Sequence, residues 1–150
     1  DPDERTRLAE GLHLGIAVDE HRATFGRGDF LVRNLIGVDR ESGALVTTEQ
    51  VPVGTTVQFQ VRDADAADDD LRALLAEASA GGLADGALLF TCNGRGRRLF
   101  GEPDHDAEAV TEALRSDAVA GMFCAGEIGP VDDRSFVHGF TASIVLFHDR

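Results

Sequence analysis

Residues 86–96 read GALLFTCNGRG and residues 120–130 read AGMFCAGEIGP, so that twice an apolar strand breaks at a glycine turn bearing one charged residue. Between them Ala107, Val110 and Leu114 recur at helical spacing behind Asp104 and Asp106, which predicts a helix over 104–114 bridging the two turns. A strand, helix, strand unit makes parallel neighbours through a right-handed crossover. Both turns should therefore emerge at the carboxyl edge of one sheet, where open α/β sheets place their ligands. Arg95 and Glu127 are then expected to face one pocket.

Upstream the pattern is mostly of strands. LGIAV (14–18) is a short apolar run, and 19–29 reads as a loop. FLVRNLIGV (30–38) is apolar on both alternating faces except at Arg33 and Asn34, which suggests a buried strand with polar groups in need of partners. ESGALVTTE gives a further strand. In TVQFQVRD, Val57, Phe59 and Val61 alternate with Gln58, Gln60 and Arg62, the period of a strand with one wet face. A helix with Asp68, Asp69 and Asp70 as acidic caps and Leu71, Leu74, Leu75 and Ala78 at helical spacing ends at Gly81 and Gly82. FTASIVLF (140–147) is expected as a central strand, and a short helix is expected near 6–10. The economical architecture is α+β: one domain over 1–150 with its core at about 11–147, a mixed sheet with an N-terminal run of strands and a C-terminal βαβ unit, and two main helices packed on the sheet.

Composition narrows the chemistry. The 150 residues are 43% hydrophobic and 27% charged, as in a globular domain. No apolar run approaches the roughly 20 residues of a membrane helix, and DPDERTRLAE is charged where a signal peptide is apolar, so a soluble, cytoplasmic protein is expected. With 27 acidic and 14 basic residues the formal charge is -13, which argues against a nucleic-acid partner. All of the basic residues are arginine. A Schiff-base lysine and a P-loop are thereby excluded from this chain. The two cysteines, Cys92 and Cys124, are too few for a disulfide framework or a cysteine-rich zinc site, and the histidines have no metal-ligand spacing; neither metal nor cofactor is expected.

The runs FLVRNLIGVDRESGAL, VPVGTTVQFQVRD, GALLFTCNGRGRRLF, AGMFCAGEIGPV and FVHGFTASIVLF together resemble the C-terminal domain of the FIST family, most sharply in CNGRG and GEIGP. The HGFT segment (138–141) is similar to a family element in which a His and a Thr flank an aromatic. The resemblance implies an intracellular signal-transduction sensor that binds a small ligand such as an amino acid. It also implies partnership with a signalling output domain or an N-terminal FIST half.

An amino acid presents a carboxylate and an ammonium close together, and its site needs a planar cation beside a carboxylate, with glycine-turn amides between. Arg95 and Glu127 suit those roles unless they pair only with each other. The candidate ligand set is Cys92, Asn93, Gly94 and Arg95 in the first loop and Gly126, Glu127, Ile128 and Gly129 in the second. Arg33, His138 and Thr141 complete it. Two other readings stay open. Catalysis is not expected, but the alternative is a hydrolase or acyl transferase with Cys92 as nucleophile, His138 as base, Glu127 as its orienting carboxylate and the 93–96 amides as oxyanion hole. Alternatively the acidic surface docks a protein partner or a second copy in a homodimer.

Overall fold

A computed structural model describes residues 11–148; the helix expected near 6–10 lies outside the described residues. The β-prone runs between the glycine and proline breaks form β1 (Leu12–Ala17), β2 (Phe30–Val38), β3 (Leu45–Thr47) and β4 (Val57–Val61). They make an antiparallel sheet in the order β3-β2-β1-β4. Leu14 sits opposite Arg33 on one side and Phe59 on the other. These strands belong to a first compact unit, which ends at Arg62 and also includes Pro130–Ser135.

Two burial expectations are corrected in this unit. β2 has the bounds read from sequence, but only Leu31 is buried and its far half is exposed. On β4, Phe59 is 57% exposed and Val57 and Val61 are exposed with it. Among the described residues of the unit no helix packs on the sheet, and an antiparallel sheet can leave one face to solvent.

The second unit holds Asp63–Gly129 and the residues from Phe136 onward. Its first helix, α1 (Ala64–Ser79), starts before the expected acidic caps, because the Asp63 carboxylate accepts a hydrogen bond from the Ala66 amide at 2.9 Å and so caps the first turn. Leu71 and Leu75 point into the core, whereas Leu74 is exposed. Then come β5 (Gly86–Cys92), a one-turn helix α2 (Arg97–Phe100) within the first glycine loop, α3 (His105–Leu114) and β6 (Val119–Cys124). A hairpin of β7 (Glu127–Val131) and β8 (Arg134–His138) precedes β9 (Ala142–Phe147). GEIGP, read as a turn, is thus a strand after its first glycine, since 134–138 supplies a ladder partner.

The βαβ expectation holds: β5 and β6 are parallel, joined through α3. β9 runs antiparallel along the other side of β5, in the order β6-β5-β9. The central strand of this sheet is therefore β5 and not the FTASIVLF strand, because among its three described strands it is β5 that has neighbours on both sides. Leu71 and Leu75 of α1, Ala109, Val110 and Leu114 of α3, and Ala87 and Leu89 of β5 form one core, so both main helices cover the same face of this sheet. The fold class is α+β.

Gly121 on β6 shows how close the backbones come. A Cβ there would lie 1.9 Å from the Leu89 carbonyl oxygen and 2.8 Å from its carbon, a clash with backbone that no rotamer relieves. Gly121→Ala is expected to lower stability by about 1–3 kcal/mol or more, as overpacking does. Urea denaturation checks this, and an unchanged midpoint would contradict the packing described.

Candidate functional site

The carboxyl rim of the three-stranded sheet is laced together by its own backbone. Cys92 and Cys124 end β5 and β6 as direct ladder partners. The Asn93 amide donates to the Cys124 carbonyl at 2.8 Å, and the Cys92 amide donates to the Thr141 carbonyl at 2.9 Å. Both glycine loops therefore leave the same edge side by side, as the crossover argument requires.

The charges on those loops do not share a pocket, and they do not pair with each other. Arg95 is 7% exposed, and its guanidinium grips Asp106 on α3 bidentately, Nε to Oδ2 at 2.7 Å and Nη2 to Oδ1 at 2.8 Å. The Thr91 hydroxyl also donates to Oδ2. Phe100 lies 5.2 Å beneath the guanidinium carbon and stacks on the His105 ring at 3.5 Å. The His105 nitrogens lie 3.2 Å from Asp106 Oδ1 and 3.1 Å from Asp68 Oδ1. Burial would raise the Asp106 carboxyl, but hydrogen bonds from Arg95 and Thr91, the Arg95 charge and the His105 contact outweigh it and hold the pKa below the ordinary carboxylate value. Helical periodicity reads Asp106 only as a first-turn acid. The pairing follows once Arg95 is seen to be buried, because a buried cation must end at a carboxylate, and Asp106 lies eleven positions later.

Glu127, the first residue of β7 directly after the second turn, is 1% exposed. Its Oε2 accepts from the Thr141 hydroxyl at 2.9 Å and the Thr141 amide at 3.3 Å, which joins two of the expected site residues. Its Oε1 is buried with no hydrogen-bond partner among the described residues. Buried carboxylate oxygens without donors are rare, because burial without a partner costs free energy.

Most of the remaining sequence candidates have structural partners. Arg33 belongs to the first unit, where its Nε donates to Glu49 and its Nη1 to the Val32 carbonyl. His138 Nε2 lies 2.9 Å from the Gly129 carbonyl oxygen, and the Ile128 carbonyl accepts from Ser143 Oγ at 2.7 Å. Gly126 and Asn93 are exposed on the rim. Gly94 donates its amide to Cys92 Sγ at 3.4 Å. His138 Nε2 thus lies on the hairpin backbone and Glu127 Oε2 is held by Thr141. Gly96 is needed for conformation: it adopts φ +58°, and a Cβ there would meet the Phe123 ring at 3.2 Å. A cavity of about 200 Å³ opens between β6 and the start of α3, with Thr91, Gly96, Asp106 and Phe123 in its wall. None of the residues in the expected ligand set lines it.

The FIST C domain, a signal-transduction sensory domain, matches residues 1–130. The chain belongs to the FIST C domain family. The match includes both glycine loops and stops short of HGFT. Uncharacterized proteins of Mycobacterium bovis and Mycobacterium tuberculosis are each 55% identical to it over 150 residues, which is 99% of this chain and 39% of theirs. The chain spans about two-fifths of the length of the curated relatives it matches. No described helix is long and apolar enough to cross a membrane.

Asp106→Ala strands the Arg95 cation in the core and is expected to cost about 3–5 kcal/mol in urea denaturation, as breaking a buried pair does. The double variant Arg95→Met with Asp106→Leu should lose much less than the two single changes summed. Because the folded pKa of Asp106 is depressed, its contribution is full above the unfolded value of about 3.9 and is lost as pH falls through the lower folded value. The double variant should therefore show a shallower loss of stability on the acid side than the parent, measured by thermal melts at stepped pH.

Proposed function

We propose that this chain is a ligand-binding sensory domain whose rim at the ends of β5 and β6 recognises the ammonium group of an amino acid or a similar small polar metabolite. The observation that carries the reading is Glu127: a buried carboxylate held from one side by Thr141, with its other oxygen lacking a donor among the described residues. An ammonium supplies such donors together with the compensating charge. Asn93 and Gly126, both exposed in the two turns, are the candidate residues for contact with the rest of the molecule, while Gly94, Ile128 and Gly129 shape the backbone beside them. Because Oε1 is closed from solvent, ligand entry requires a local rearrangement around Glu127. Arg95, committed to Asp106, has the role of fixing the first loop rather than of binding a ligand carboxylate. A signalling output domain or an N-terminal FIST half is the partner that would receive the change.

A thermal-shift screen tests this with three matched sets: amino acids, the corresponding acids without the amine, and the corresponding amines without the carboxylate. Compounds with the amine should stabilise the protein by mass action, and those without it should not. Glu127→Gln should weaken the best compound by about tenfold to a hundredfold, the range for a hydrogen bond to a charged group. Equal stabilisation by acids lacking the amine, or an unchanged response in Glu127→Gln, would overturn the assignment.

A protein-contact role is favoured by a different observation, the exposed row of Val57, Phe59 and Val61 on β4. Such a row on an edge strand suits a homodimer contact. Light scattering should then show association in the parent and its loss in Phe59→Ser, with the response to small molecules intact.

A further inference from the structure

Cys92 and Cys124 stand directly opposite each other on adjacent parallel strands, and both are free thiols. Direct partners in a ladder send their side chains to the same face, and neighbouring strands lie about 4.7–4.9 Å apart. A disulfide requires a Cα separation of about 4.4–6.8 Å, so the spacing admits a bond. Both cysteines are the last residues of their strands, each followed by a turn, so the adjustment that brings the sulfurs together falls where the ladder ends. Their exposures differ in a useful way. Cys92 is 8% exposed, whereas Cys124 is half-buried, on the open edge strand. Cys124 Sγ donates only a long contact, 3.8 Å, to the Met122 carbonyl, while Cys92 Sγ accepts the Gly94 amide.

We propose that Cys92 and Cys124 form a modification site, a dithiol oxidised to an intramolecular disulfide by hydrogen peroxide or an alkyl hydroperoxide. Cys124, the more accessible, reacts first: its sulfur bonds to one peroxide oxygen as the O–O bond breaks, and the other oxygen leaves as water, or as the alcohol for a hydroperoxide. The Cys92 sulfur then attacks the Cys124 sulfenic acid; the S–S bond forms, the S–O bond breaks, and the oxygen leaves as water with the Cys92 proton. Overall two thiols lose two electrons, the peroxide gains them, and with hydrogen peroxide two waters result. Cys92 is the resolving residue, which its burial beside the partner strand suits. The bond would tie together the two strands that carry the glycine loops and draw the Cys92 sulfur from the Gly94 amide. The proposal stands whether or not the rim binds an amine.

The test is peroxide treatment of the fully reduced native protein, followed by alkylation with N-ethylmaleimide in denaturant and non-reducing peptide mapping. The expected result is a monomer lighter by two hydrogens, with a linked peptide pair containing Cys92 and Cys124, no alkylation at either, and full recovery with dithiothreitol. Cys92→Ser should instead trap a sulfenic acid at Cys124, captured by dimedone, and Cys124→Ser should leave Cys92 largely unreacted. Two alkylatable thiols after treatment, sulfinic acid at Cys124 beside a free Cys92, or a dimer linked through Cys124 would each overturn the proposal. The parent protein's map decides the question if a variant does not fold.

Discussion

The second unit is organised around a charge taken out of water. A guanidinium at 7% exposure is tolerable only with a carboxylate in bidentate contact, and the Asp106 carboxylate answers with both oxygens while also receiving Thr91. Because Thr91 is on β5, Arg95 in the loop after it and Asp106 on α3, the pair fixes strand, loop and helix in one arrangement. The loop cannot drift without uncovering the ion pair. Its position then sets the neighbouring turn after β6, since the backbones of the two are hydrogen-bonded where the strands end.

That arrangement explains why opposite charges on two loops need not seek each other. Arg95 is satisfied within its own crossover, which leaves Glu127 to the second loop alone, where Thr141 supplies donors to one oxygen only. The rim thus combines one fully paired charge and one half-paired charge a few residues beyond adjacent strand ends. Rigidity belongs to the first and chemical demand to the second, a division of labour that suits binding sites built on loops over a stiff sheet.

Much of this was legible in the chain. The period-two run at Val57, Phe59 and Val61 gave a strand, and the spacing of Ala107, Val110 and Leu114 gave a helix that starts within a residue of the expected place. The repeated strand and glycine turn gave the parallel pair and the shared rim. What stayed hidden depends on contacts remote in sequence. GEIGP looks like a turn until 134–138 offers it a partner, and FTASIVLF looks central by apolarity although its place in the sheet is decided by β5. Asp106 carries the same letters as any helix-opening acid. Only the burial of Arg95, a tertiary fact, distinguishes it.

The crossover also bears on how the unit assembles. The contacts of Arg95 with Asp106, and of β5 with β6 through α3, join segments close along the chain, while β9 must come from far downstream to flank β5. Loop closure is entropically cheaper for near segments, and nonlocal pairings slow folding. The β5, α3 and β6 crossover is thus the local part of the sheet, and the chain entering β9 closes the rim from the greatest distance in sequence, through the Thr141 carbonyl on Cys92 and the Thr141 donors on Glu127.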